Sequence, residues 1–487
     1  MPDPILLSDL VARLPGGARL DGADVLVSGV THDSRAVGPG DLFVAIPGEH
    51  YDGHDYVDRA INAGAAAVVV ERNIECASRI VVSDARSALP WAAAAVYGDP
   101  SLRLPVVGVT GTNGKTTVTH MLERIVVATG RTAAIVGTVG ARIGDASRAV
   151  ARTTPEASDL QRLLSEMIDA GVDVAAIEVS SHALSLHRVD GIHFRVAAFT
   201  NLMQDHLDFH GDMEAYFAAK ASLFTADRTD HAVVAIDGAW GRRIAAVADV
   251  PVTTVALDRD ADVRASSIIE SIEGSSFLIT VDDRHIAVEM PIPGRFNVEN
   301  AVVAAAVALE IGIDDASISL GLSSVGTIPG RFERIEGQGG FDVIVDYAHT
   351  PDAIEAVVDS ALRMSEGRVI VVFGAGGDRD QEKRAAMGRA ASRADISVLT
   401  SDNPRSEDPV AIVAAVRSGI PPGTAIIEEA DRRRAIRAAL EAAGSNDLVL
   451  VLGKGHEAGQ EIAGRTEPFD DRAVVLDELR SIVEAAS

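Results

Sequence analysis

The chain has 487 residues, 47% apolar, 24% charged and only 4% aromatic, and its 71 acids against 44 bases leave a net charge of −27. That length exceeds one ordinary core and implies roughly two to four domains, while so negative a surface repels nucleic acid and anionic membranes and excludes both as natural partners. No apolar run is long enough to cross a bilayer, and a single cysteine, Cys76, excludes an internal disulfide and fits a reducing cytoplasm.

The N-terminal MPDPILLSDLVARLPGG lacks the basic segment and apolar core of a secretory signal. Residues 1–98 then hold VLVSGVTHDSRAVGPGDLFVAIPG, an expected helix through AINAGAAAVVVER and a strand-like RIVVSD, together a small α/β unit. Two prolines in YGDPSLRLPVVGVTG mark the first boundary. Residues 99–328 alternate strand and helix: VVGVTG, AAIVGT, VDVAAIEVSS and VAAFTN read as strands, and TVTHMLERIVVATG and LQRLLSEMIDAG as helices. Such alternation predicts a doubly wound, mainly parallel sheet. Residues 262–293 read as an antiparallel insertion or sheet edge, followed by the helix NVENAVVAAAVALEIG, which Gly312 ends. From GRFE onward, residues 329–487 alternate again through FDVIVDYAH, RVIVVFGAGGD, ADISVLTSDNP, TAIIEE and DLVLVLGKGHE, a Rossmann-like α/β pattern. The fold class is therefore α/β in three domains, and the polar motifs hang from carboxyl ends of strands, where open α/β sheets bind ligands.

Within the second unit, GVTGTNGKTT has the setting of a phosphate loop, between a buried strand and an amphipathic helix. A strict Walker A loop has a glycine five positions before its Gly-Lys pair, but here that position is Val109. Gly111 and Gly114 would still let the backbone approach phosphate, and the helix N-terminus supplies amide donors. Lys115 would meet the β/γ phosphates and Thr116 could bind Mg²⁺. Only four lysines occur, Lys115, Lys220, Lys383 and Lys454, beside 40 arginines. The survivors are candidates for chemistry arginine cannot supply, a compact point charge or a deprotonable amine.

In IEVSSHALSLHR, Glu178 is an acid at the end of an apolar strand, where a carboxylate needs a metal or cation; Ser180 and Ser181 also read as helix caps. TNLMQDHLDFHG adds His206 and His210 at the next strand end, and a carboxylate with a histidine beside a phosphate loop favours Mg²⁺. Zinc is not the expectation, since the chain's single cysteine supplies no cysteine set. Lys220, in EAYFAAKASLF, is shielded by Tyr216, Phe217, Leu223 and Phe224. Two readings stand: a snorkelling lysine, or an amine of depressed pKa able to take up CO₂ as a metal-binding carbamate. The third unit gathers Arg379, Lys383, Arg405 and Lys454 into four loops, a face suited to carboxylates and phosphates.

GTNGKTT, EVSSH, TNLxxDHLDFHG, GRFE, DYAHTPD, GxGGDRD, DNPR and GKGHE occur here in the order found in the Mur ligases, which this chain resembles over nearly its whole length. DNPR with GKGHE resembles the diamino-acid-adding branch, and the family's GT-x-GK-[TS] loop accounts for the departure from Walker A. The resemblance implies three domains, 1–98 for a UDP-sugar, 99–328 for ATP and 329–487 for the incoming amino acid. It implies an ATP-dependent ligation of peptidoglycan precursor synthesis: a diamino acid is added to the D-Glu γ-carboxyl of UDP-MurNAc-L-Ala-D-Glu through an acyl phosphate, giving ADP and phosphate.

Carried over by resemblance, Gly111, Thr112, Asn113, Gly114, Lys115, Thr116 and Thr117 hold ATP, with Asn297, Asn300, Arg331 and Asp346 as adenine, ribose and phosphate contacts. Lys115, Glu178, His206 and Lys220 form the catalytic set. Thr116 and Glu178 would hold one Mg²⁺, and His206 with a carbamylated Lys220 a second. His32, Ser34, Glu49, His50 and Tyr51 would bind the UDP-sugar, and Thr153, Thr154, Ser180 and Arg188 its dipeptide arm. Leu186 replaces a glutamine that some members carry two residues before that arginine. The amino-acid pocket would use Arg379, Asp402, Asn403, Pro404, Arg405, Gly453 and Glu457, with Arg405 pairing the distal carboxylate of meso-diaminopimelate. L-Lysine, L-ornithine and L-diaminobutyrate remain alternatives. So do another ligase of the superfamily, such as the D-Ala-D-Ala-adding enzyme or folylpolyglutamate synthetase, and a non-catalytic nucleotide-binding module. The partners expected are small molecules, and a monomer is expected.

Overall fold

The computed structural model describes residues 3–48, 51–337 and 340–486. Among them the strands gather into three principal sheets of five, eleven and six strands, each drawn from one contiguous stretch of chain. The first contains β1 (Arg19–Gly22), β2 (Gly29–Thr31), β3 (Asp41–Val44), β4 (Ala67–Val70) and β5 (Ser78–Val81), in the order β1-β5-β4-β3-β2. Only β1 runs antiparallel to its neighbour. The segment AINAGAAAVVVER, expected to be helical throughout, divides here. Its helix covers Val57–Ala63, Gly64 ends it at φ +111°, and Ala67–Val70 is β4. Consecutive valines, buried on both faces, suit a central strand better than a helix, where their χ1 freedom is lost.

The second sheet contains β6 (Val106–Thr110), β7 (Ala133–Gly137), β8 (Gly140–Ile143), β9 (Ala146–Arg148), β10 (Val174–Glu178), β11 (Val196–Phe199), β12 (Ala232–Ala235), β13 (Val252–Ala256), β14 (Val263–Ser271), β15 (Gly274–Val281) and β16 (Arg284–Met290). Their order is β9-β8-β7-β10-β6-β11-β12-β13-β14-β15-β16. The strands from β7 to β14 across this order are parallel, and β14 to β16 form the expected antiparallel edge. The small hairpin β8–β9 was not foreseen. Strand β6 packs Val107 and Val109 against the helices Lys115–Ala128 and Arg295–Glu310, and Val106 against the helix Ala157–Asp169 on the other face. Although first in sequence, β6 lies between β10 and β11; its connection runs toward β7 on one side and that of β11 toward β12 on the other, so a crevice opens beyond their carboxyl ends.

The third sheet contains β17 (Glu333–Glu336), β18 (Asp342–Asp346), β19 (Val369–Phe373), β20 (Ile396–Leu399), β21 (Ala425–Glu428) and β22 (Leu448–Leu452), in the order β17-β18-β22-β19-β20-β21. The five expected strands are all parallel, and β17 adds an antiparallel edge. A hairpin, β23 (Gly459–Ile462) with β24 (Arg465–Pro468), follows β22. Among the described residues no helix is long and apolar enough to cross a membrane.

Candidate active site

Strand β6 turns through Gly111–Gly114 into the helix Lys115–Ala128. Gly111 has φ +149° and Gly114 φ +88°, and a Cβ on them would lie 1.9 Å from Thr200 Oγ1 and 2.2 Å from Asn300 Oδ1 respectively. Glycine is required at both positions by conformation and by space. The residues after β11 hold the loop in place: Thr112 N donates to Asn201 O at 2.9 Å, and Asn113 N to Asn201 Oδ1 at 2.9 Å. Lys115 Nζ folds back to donate to Gly111 O at 2.9 Å and Thr112 O at 2.8 Å. Burial lowers its pKa, and Glu178 opposes that shift.

Lys220, on the helix Met213–Ala221, reaches the same carbonyl, donating to Gly111 O at 2.8 Å. It is 1% exposed, so the snorkelling reading fails: the stem is enclosed and the head does not reach water. Burial, with the charge of Lys115 next in importance, holds its amine well below the usual lysine range. Glu178 ends β10 and is buried; its two oxygens accept from Thr138 N at 2.8 Å and Thr138 Oγ1 at 2.9 Å. His206 stands at φ +54°, and burial lowers its pKa to about 3, so a ring nitrogen lone pair is free at neutral pH. Thr116 Oγ1 accepts from Arg331 Nη2 at 3.0 Å, a bond between the second and third units.

Among the described residues no group of three or more His, Cys, Asp and Glu is placed to hold a metal. The set named from sequence contains two residues of those types, Glu178 and His206, and completes itself with a hydroxyl and Lys220. Its chemistry fits Mg²⁺ through the oxygens of Thr116 and Glu178 and a neutral imidazole, with Lys220 beside them a buried amine whose pKa is lowered.

Two cavities lie where the second and third units meet. The first is lined by Asn113, Gly114 and Thr117 of the loop, Asn297 and Asn300 of the helix Arg295–Glu310, and Arg331 and Asp346 of the third unit. Asp346 ends β18, and its carboxylate accepts from Phe332 N and Ala348 N, each at 2.7 Å. Gly111, Thr112, Lys115 and Thr116 complete the loop beside it. The second cavity is lined by His206 and by Arg379, Asp402, Asn403, Arg405, Gly453 and Glu457, which follow β19, β20 and β22. Pro404 is buried behind this wall. Arg405, at φ +53°, donates from Nη1 to Gly377 O at 2.6 Å and lies 3.3 Å from Glu461 of β23. Lys454 is 0% exposed and donates to Asn403 Oδ1, Glu457 Oε2 and Gly459 O. Thus it fixes both polar side chains of the wall.

The residues assigned to the UDP-sugar and its dipeptide line neither cavity. They are strung along residues 153–158. His32 Nδ1 lies 3.1 Å from Ser158 Oγ, Thr153 Oγ1 lies 3.2 Å from Thr138 Oγ1, and Thr154 Oγ1 donates to Glu178 O at 2.7 Å. Ser180 caps the helix Ser181–Ser185, accepting from Ala183 N, and also lies against Thr154. Arg188 is buried and donates to Glu156 Oε1 at 2.9 Å. Ser34 is half-buried on the first unit and Tyr51 is 74% exposed there. Glu49 and His50 lie outside the described residues.

Sequence reasoning passed over Asp205, His349 and Tyr347, which also line the second cavity. Burial pushes the Asp205 carboxyl up, but His349, His206 and Lys383 outweigh it and hold it well below the usual range. Lys383 Nζ donates to Asp205 at 3.4 Å across the two units. The signal was available, since Asp205 precedes His206 and Lys383 is one of only four lysines.

Three family models match in succession: "Mur ligase family, catalytic domain" over residues 26–106, "Mur ligase middle domain" over 109–308 and "Mur ligase, glutamate ligase domain" over 330–455. The chain is 44% identical to the UDP-N-acetylmuramoyl-L-alanyl-D-glutamate–2,6-diaminopimelate ligase of Streptomyces coelicolor, over 97% of this chain and 96% of that protein. It is 42% identical to the ligase of the same name from Syntrophomonas wolfei, over 98% and 99%. A solved structure bearing that ligase's name superposes with a TM-score of 0.71 at 32% identity, covering 99% of this chain and 100% of that one.

Proposed function

The chain belongs to the Mur ligase family, and from that premise we propose that its two cavities are the nucleotide and amino-acid sites of an ATP-dependent ligase. The enzyme joins 2,6-diaminopimelate to the D-Glu γ-carboxyl of UDP-MurNAc-L-Ala-D-Glu and releases ADP and phosphate. Residues 1–98 carry the UDP-sugar, 99–328 ATP and 329–487 the diamino acid. The observation that carries this reading is the placement of both cavities at the seam of the second and third units, with His206 in the wall of one and the Gly111–Thr117 loop in the wall of the other.

In the first step a γ-carboxylate oxygen attacks the γ-phosphorus of ATP and the bond to the β-phosphate oxygen breaks, leaving ADP and an acyl phosphate. In the second, the amine attacks the acyl carbon, the C–O bond to phosphate breaks, and the amine loses a proton. Gly111, Gly114 and the amides of Lys115, Thr116 and Thr117 cradle the phosphates. Lys115 must leave the carbonyls of Gly111 and Thr112 and turn its charge toward the transferring phosphoryl group. Arg331 brings a second positive charge to Thr116 from the opposite unit. Thr116, Glu178, His206 and a carbamylated Lys220 would hold Mg²⁺, which neutralises charge on the phosphoryl oxygens. Arg405 and Arg379 grip the distal and proximal carboxylates of the diamino acid, and Glu457, held by Lys454 and Asn403, receives its distal ammonium. Closure of the third unit on the second excludes water from the acyl phosphate.

The test is phosphate release from ATP with UDP-MurNAc-L-Ala-D-Glu and a panel of meso-diaminopimelate, L-lysine, L-ornithine, L-diaminobutyrate and D-Ala-D-Ala, with mass spectrometry of the product. Turnover with meso-diaminopimelate alone is expected. Turnover with lysine or ornithine instead would remove the role given to Arg405, and ATP binding without turnover on any amine would remove the ligase.

A further inference from the structure

Glu299 stands on the helix Arg295–Glu310 between Asn297 and Asn300, and it lines the first cavity beside them. Its polar neighbours are already occupied. Asn297 Nδ2 donates to Pro293 O at 2.7 Å, Asn300 Nδ2 lies 3.4 Å from Asn297 Oδ1, and Asp346 accepts from two backbone amides. Glu299 makes no hydrogen bond or ion pair among the described residues. It is half-buried, and with the exposed Asp352 across the cavity it is one of the wall's two carboxyls that no hydrogen bond or ion pair engages among the described residues. The charges around it are Asp237 beyond β12, Asp258 beyond β13, Arg295 on its own helix, and Asp352, Asp346 and Arg331 from the third unit across the cavity. Arg295 is already paired with Asp258 at 2.5 Å.

Resting on the reading of this cavity as the nucleotide site, we propose that Glu299 selects the base, its carboxylate accepting from the 6-amino group of adenine and repelling the 6-oxo group of other purines. Asparagines cannot do this, because an amide turns to present either a donor or an acceptor. A carboxylate only accepts. Burial, with Asp237 and Asp258 adding to it against Arg295, pushes the Glu299 pKa up to about 7. Deprotonation therefore sharpens the choice of base and protonation blunts it, since the protonated acid can donate to a 6-oxo oxygen.

The experiment is equilibrium binding of ATP and of ITP to the whole protein, by calorimetry, from about pH 6 to about pH 8. Titration of the triphosphate is shared by both nucleotides and cancels in the ratio of affinities. The wild-type preference for ATP is expected to reach roughly tenfold or more at the upper end, the scale of one hydrogen bond to a charged acceptor. It should fall severalfold toward the acid end. Glu299→Gln is expected to keep a low preference that does not vary with pH. A wild-type ratio that is flat across this range, or a Glu299→Gln protein as selective as wild type, would overturn the assignment of Glu299 alone. Failure of the wild type to bind either triphosphate would overturn the reading of the cavity itself, and this inference with it. The pH arm needs no variant, so misfolding of Glu299→Gln leaves the test intact.

Discussion

Replacing Lys220 by methionine distinguishes a lysine kept for chemistry from one kept for stability. Its amine is buried, donates to Gly111 O at 2.8 Å and lies 4.7 Å from the centre of the Tyr216 ring. The native pKa is well below that of an unfolded lysine, first by burial and then by the charge of Lys115. Between the native value and the unfolded value of about 10.4, the unfolded chain binds more protons, so stability rises with pH through that window and is lowest below it. Each pH unit below about 10.4, down to the native pKa, withdraws about 1.4 kcal/mol from the folded state. Methionine removes that penalty, keeps most of the buried volume and forfeits one hydrogen bond worth about 1 kcal/mol net. Near pH 7 the variant should therefore be at least as stable as wild type, with an advantage that shrinks steadily as pH rises. Activity should fall at least about a hundredfold, because the carbamate proposed for Lys220 can no longer form. Urea denaturation at about pH 7, 8 and 9, followed by circular dichroism, gives the stability arm, and phosphate release gives the other. A variant less stable by about 2 kcal/mol at every pH would refute the reasoning, since it would mean a charged amine that the fold needs.

Gly111→Ala should abolish nucleotide binding with little change elsewhere, because its Cβ would sit 1.9 Å from Thr200 Oγ1; calorimetry with ATP checks this. Arg405→Lys should lower kcat/KM for meso-diaminopimelate by about tenfold to a hundredfold, since an ammonium cannot reproduce the paired geometry of a guanidinium; the substrate panel measures it. Arg432→Met should destabilise the third unit by about 3–5 kcal/mol, because Asp471, which accepts from Arg432 Nε at 2.8 Å, is left buried and unpaired. Adding Asp471→Asn should recover part of that loss in urea melts.

The parallel sheets were legible because apolar runs such as VVGVT and LVLVL are buried on both faces and are bounded by glycine and polar turns. Segment 60–72 was misread because alanines bridge a helix and a strand without a change of hydropathy. The chain's own punctuation, Gly64 followed by consecutive valines, marks the change. The hairpins β8–β9 and β23–β24 were not legible, since ARI, ASR and RTEP carry little apolar alternation and their pairing depends on neighbours. Of the first cavity's residues, the Gly111–Thr117 loop was found through a motif at a strand end, and Asn297, Asn300, Arg331 and Asp346 through the family resemblance. Glu299 was not, because its side chain acquires meaning only when the helix turns it toward a cavity whose far wall comes from another unit.

The electrostatic demand on this chain explains its lysines. A protein of net charge −27 has to concentrate positive charge at the seam where it meets a triphosphate and a dicarboxylate. Many arginines serve the surface, where pairs such as Arg35–Asp33 and Arg243–Glu214 form planar forks exposed to water. None of the four lysines is spent there. Lys220, Lys383 and Lys454 are buried, and Lys115 is half-buried over the phosphate loop. Each reaches a compact target that a guanidinium would overfill: the Gly111 carbonyl for two of them, the Asp205 carboxylate for Lys383, and the Asn403–Glu457 pair for Lys454. An ammonium also has a proton it can lose under desolvation, which an arginine does not. A lysine placed by this logic marks either a point charge or a neutral amine. The two at Gly111 form a pair in which the charge of Lys115 adds to burial in lowering the pKa of Lys220.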